Sequence, residues 1–120
     1  MTQRSWEDIC ALAPRWLDAA LFEVGAAPPE VVHLGRVESG PTYGVTMKDT
    51  MRITAWWSPT EHWSDCMDVV WQYRLSLISY NDHAICLSAD GSIETGVITE
   101  AEARLALARL ALWTAQQKGT

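Results

Sequence analysis

The chain has 120 residues, 48% of them hydrophobic and 20% charged. That is enough to bury one core, which sets aside a disordered segment and a metal- or disulfide-stapled miniature fold. Nine basic against fifteen acidic residues leave a net charge of −6, the wrong sign for displacing counterions from duplex nucleic acid.

Three cysteines at wide spacing, Cys10, Cys66 and Cys86, read as free thiols of a reducing compartment. Glu7 and Asp8 stand where a secretory signal would carry basic residues and then an apolar core. No apolar run approaches a membrane span. A single cytoplasmic domain over 1–120, binding neither nucleic acid nor membrane, is the expectation.

Ser5, with Asp8 three residues on, opens the first helix. Trp6, Ile9, Cys10, Ala13, Trp16, Leu17, Ala20, Leu21 and Val24 then recur at helical spacing, leaving Glu7, Asp8, Ala11, Arg15 and Asp18 on the polar face. Pro14 lacks a donor and clashes with the carbonyl of Cys10, so a kink or short break is expected near Cys10 to Ala13. Gly25 and Pro28-Pro29 end the helix.

Strands follow at Val31 to Glu38, Thr42 to Lys48 and Met51 to Trp57, separated by Ser39-Gly40-Pro41 and Lys48-Asp49-Thr50. An antiparallel meander is the economical assembly. In the second strand Tyr43, Val45 and Met47 share the apolar face; in the third, Met51, Ile53, Ala55 and Trp57 do. Trp56 must then point away from Trp57, onto the face of Arg52 and Thr54, and lie at or near the surface.

Ser58-Pro59-Thr60-Glu61 carries the features of a helix start, with Ser58 as cap and Glu61 reaching back. The pattern predicts a helix from Pro59 to about Tyr73, with Trp63, Cys66, Met67, Val70, Trp71 and Leu77 inward. From Val69 to Ser79 a period-two alternation competes, and Arg74 on the apolar face opposes a helix that long. Ala84 to Ser88 and Ser92 to Val97 form a hairpin about Asp90-Gly91. Thr99 to Glu102 caps a last helix with two apolar stripes, one through Ala101, Leu105, Ala108 and Leu112, the other through Ala103, Ala106, Leu107, Leu110 and Trp113. Two stripes need two partners, such as a sheet and another helix or a second subunit.

His62, Cys66, His83 and Cys86 are the sharpest chemical set. His62 and Cys66 lie one helical turn apart, and all four could surround a zinc ion or supply an activated thiol. The plainer reading makes both cysteines small core residues and the histidines edge residues. His83 and Cys86, three apart at a strand start, point to opposite faces, and no catalytic motif is present. The residues therefore favour no enzyme, no metal and no cofactor. Trp6, Trp16, Trp63, Trp71 and Trp113 fall on apolar helix faces, where large aromatics build cores as readily as interfaces. Trp56 beside Arg52 has the composition of an interface anchor. With Trp71 and Trp113 they make the partner-binding set.

The element order α-β-β-β-α-β-β-α, with small size and acidic charge, resembles the class I chaperones of type III secretion. The likeness is most specific in Ala84-Ile85-Cys86-Leu87-Ser88-Ala89-Asp90-Gly91-Ser92-Ile93, then Thr99 and the Ala/Leu-rich helix to about Trp113. It implies a homodimer around the central helix and its neighbouring strand, holding an extended segment of a protein partner without catalysis. The expectation is thus an α+β fold, an antiparallel sheet with helices packed on it, serving as a protein-binding module. A small inhibitor or immunity protein of a mobile element or phage is the alternative of the same class, and a zinc- or thiol-dependent enzyme around His62 and Cys66 that of another.

Overall fold

The computed structural model describes residues 3–46 and 52–118. Ser5 accepts a hydrogen bond from the Asp8 N–H at 3.1 Å and opens α1 (Trp6–Cys10). Pro14 stands at the first position of α2 (Pro14–Glu23), so the expected interruption is a full break over 11–13. Leu17, Ala20 and Leu21 are buried as expected. Ala13 and Trp16, expected inward, are exposed, and Asp18, expected on the polar face, is buried among Leu17, Ala19, Ala20 and Leu21. Gly25, at φ +82°, closes α2 as expected.

Strands β1 (Val31–Val37), β2 (Gly40–Thr46) and β3 (Ile53–Trp56) form the antiparallel meander. Val37 pairs with Gly40, so the turn is Glu38-Ser39, and Gly40 and Pro41 belong to β2 and not to the separator. Gly40 has φ +133°, and a Cβ there would stand 3.0 Å from the Arg15 Cβ; no other residue suits both demands. The central strand is the covered one, with Thr42, Tyr43 and Gly44 buried. Met47, the Lys48-Asp49-Thr50 turn and Met51 lie outside the described residues. Along β3 all four residues are exposed, including Ile53 and Ala55, which were expected inward. This short edge strand pairs only with β2, and burial resumes at Trp57.

The capping role expected of Ser58 is not what the structure shows. Ser58 to Glu61 form a turn, in which the N–H groups of Glu61 and His62 donate to the Ser58 carbonyl. Helix α3 (Trp63–Tyr73) begins after it, with His62 at the cap position. Arg74, at φ 56° and ψ 42°, ends the helix in the left-handed region. Strand β4 (Ser76–Ser79) follows, so the stretch that read two ways is helix and then strand. With β5 (Ala84–Leu87) and β6 (Glu94–Val97) it makes a second antiparallel sheet in the order β4-β5-β6. Gly91, at φ +75°, turns the final hairpin, and Asp90 accepts hydrogen bonds from Ser88 and Ser92 beside it.

Helix α4 (Glu100–Lys118) carries the expected reciprocal cap between Thr99 and Glu102. It packs against α1, α2, α3, β5 and β6. Both apolar stripes are used within the chain: Leu107 and Leu110 from one, and Ala108 and Leu112 from the other, are fully buried. A Leu→Ala change at Leu107, Leu110 or Leu112 would cost about 2–5 kcal/mol. The architecture is α+β, with the order α-β-β-β-α-β-β-α realised through a divided first helix and a second sheet that starts at β4. No described helix is long and apolar enough to cross a membrane.

Candidate functional site

The segment between β3 and α3 is held from three helices. Asp18 of α2 accepts from the Ser58 hydroxyl at 2.6 Å, from the Thr60 hydroxyl at 3.1 Å and from the Thr60 N–H at 3.2 Å. Asp65 of α3 accepts from the Ser58 N–H at 3.0 Å, and Arg104 of α4 donates to the Thr60 carbonyl at 3.3 Å. The Arg104 guanidinium also lies 5.3 Å from the Trp63 ring centroid. Asp18 is 3% exposed. Burial pushes its carboxyl from 3.8 up to about 6, against the pull of the Ser58 and Thr60 hydrogen bonds, and the Glu61 charge adds to the rise.

This clamp positions the two adjacent tryptophans. Trp57 is buried edge-on against Tyr43, and its backbone N–H donates to the Tyr43 carbonyl at 3.0 Å. Trp56 is 58% exposed, as expected, although β3 is exposed on both faces. Arg52 is exposed just before β3. A cleft of about 330 Å³ opens here, between α2, the β1–β2 hairpin and the clamped loop. Asp18, Tyr43, Trp56, Trp57, Glu61 and His62 are among its walls.

A second surface lies on α3. The buried side of this helix is Cys66, Val69 and Tyr73, at steps of three and four. Of the expected inward face Cys66 is buried and Trp63 and Val70 half-buried, whereas Met67 and Trp71 stand outward, 46% and 73% exposed. With Val70, Arg74 and Leu75 they line an apolar groove of about 460 Å³. Arg74 stacks its guanidinium 4.8 Å from the Trp71 ring centroid. The chain continues into edge strand β4, where Leu77, Ile78 and then Tyr80 are also exposed. Of the four residues of the partner-binding set, Trp56 and Arg52 share one region and Trp71 marks another. Trp113 stands apart from both, half-buried edge-on against Trp6 at 6.3 Å.

The zinc and thiol set does not assemble. Among the described residues no three His, Cys, Asp or Glu side chains come together as a ligand group. His62 is exposed, and His83 is stacked on Tyr80 and bonded to Asp82 at 2.6 Å. Cys66 and Cys86 are fully buried. Burial pushes their thiols up to about 12 and about 11, so both stay protonated at neutral pH and poor as nucleophiles or ligands.

Periodicity missed Asp18, Met67 and Arg74. A lone acid within the apolar run from Trp16 to Phe22 was the available signal for Asp18. Comparison with protein-family models, curated proteins and solved structures finds no match to this chain.

Proposed function

We propose that the protein is a non-catalytic protein-binding module. It pairs with a second copy through the α3–β4 surface and captures an extended segment of a protein partner along β3. The observation that carries this reading is the exposure of Trp56 and Trp71, 58% and 73%, on ordered elements with further apolar neighbours. Large aromatics left in water beside other apolar groups mark surfaces that become covered.

The two surfaces suit different partners. The α3 groove offers apolar area with few polar groups, which fits a self-complementary helix contact. Strand β3 offers an edge for strand addition, with Trp56 as a side-chain anchor and Arg52 near its start. The chaperone-like role rests on the element order and on this division of surfaces. The raised thiols of Cys66 and Cys86 suit binding better than thiol catalysis.

Native mass spectrometry of the protein purified from its own host tests the reading. A dimer carrying a co-purified polypeptide that Trp56→Ala no longer retains is the expected result. A monomer that retains nothing would overturn it.

A further inference from the structure

Two polar groups on the wall of the cleft beside Trp56 each lack one kind of partner, although Asp18 already accepts three hydrogen bonds from Ser58 and Thr60. The Asp18 carboxylate is 3% exposed, yet no lysine or arginine among the described residues forms an ion pair with it. The Trp57 indole N–H is buried with no hydrogen-bond acceptor among the described residues. Buried charges are ordinarily paired and buried donors ordinarily satisfied, so two exceptions on the wall of one cleft call for a common cause. A ligand completing both must carry a cation with an acceptor close by.

Two further residues of the wall suit a cation. Trp56 offers an exposed ring face to a cation and Glu61 adds a second carboxylate. Arg15 is the opposing charge on this wall; its Nε–H donates to Ser39 at 2.6 Å, towards the β1–β2 turn. Asp18 and Glu61 thus place two carboxyl groups on a wall with one guanidinium.

We infer that this cleft receives a lysine or arginine side chain of the partner segment, with the cation between Asp18 and Trp56 and a backbone carbonyl of that segment accepting from the Trp57 indole. The inference rests on the reading of β3 as the strand to which a partner is added, since Trp56 ends β3 and also walls the cleft. A basic side chain entering here would be contiguous with a main chain lying along that edge. The volume of about 330 Å³ accommodates one long side chain with its adjoining peptide group.

The test uses N-acetyl-arginine N-methylamide and its neutral isostere, N-acetyl-citrulline N-methylamide, titrated into the full chain while the Trp57 indole N–H is followed by NMR. The expected result is a saturable shift of that resonance with the arginine compound and binding about tenfold weaker with citrulline. Glu61→Gln, an exposed change outside the clamp, should weaken the arginine compound several-fold. No saturable shift at Trp57, or equal binding of the two compounds, would overturn the inference. Either outcome leaves the dimer and partner-capture reading to its own mass measurement, so the two can fail separately.

Discussion

Trp56 and Trp71 are both more than half exposed, but they stand on different ground. Trp56 ends an edge strand, and the residues after it are fixed by Asp18, Asp65 and Arg104 from three helices. Its surroundings are polar, partly buried and incomplete. Trp71 sits on a bare helix flank among Met67, Val70 and Leu75, with Arg74 stacked on its ring. The first region supplies direction: a strand edge, a carboxylate and an indole N–H. The second supplies apolar area. Exposure alone does not define an aromatic residue's role; under the proposed function, the groups around it separate recognition of an extended chain from burial against a second copy.

The largest effect in this comparison belongs to the clamp. Ser58→Ala removes a 2.6 Å hydrogen bond to a buried carboxylate and should cost about 2 kcal/mol in urea unfolding. A loss under about 0.5 kcal/mol would mean that the loop is held by packing instead.

Next comes pH. The folded Asp18 carboxyl titrates near 6 against 3.8 for the ordinary group, so the folded chain binds the extra proton between these values. Its contribution favours folding below 3.8 and is lost as pH rises through 6. The melting temperature of the wild type, relative to Asp18→Asn, should therefore rise on acidification from about pH 7 to about pH 5. Parallel profiles for the two proteins would contradict the raised value.

Smaller effects separate the exposed regions. Arg74→Gly relieves a left-handed backbone but loses the stacking on Trp71 and loosens the unfolded chain, so stability should change by less than about 1 kcal/mol. Self-association, read by dilution, should weaken, because the guanidinium is part of the groove. Trp56→Ala should shift stability least, within about 0.5 kcal/mol. A large loss there would make Trp56 a core residue.

The elements with local signals were legible in the sequence. Ser5 and Thr99 cap their helices, Pro14 breaks the first one, Gly91 turns the last hairpin, and Trp56 is exposed where Trp57 is buried. Ser58 carried an equally good capping pattern, yet it bonds a residue forty positions away. A tertiary partner outcompeted the local one, and no local pattern announces that. The outward position of Met67 and Trp71 was hidden for a related reason. An apolar stripe says that a face will be covered, without saying whether the cover lies in the same chain. The burial of Asp18 follows from the covering of α2 on more than one side, by α4 and β2, which a single apolar stripe could not register.

The central claim is that the α3–β4 surface is a contact between copies of this chain. Sedimentation velocity of the wild type and Trp71→Glu at micromolar concentration tests it most directly. The account predicts a dimer for the wild type and a folded monomer, with unchanged circular dichroism, for the variant. A wild-type monomer, or a dimer that persists in Trp71→Glu, would contradict it.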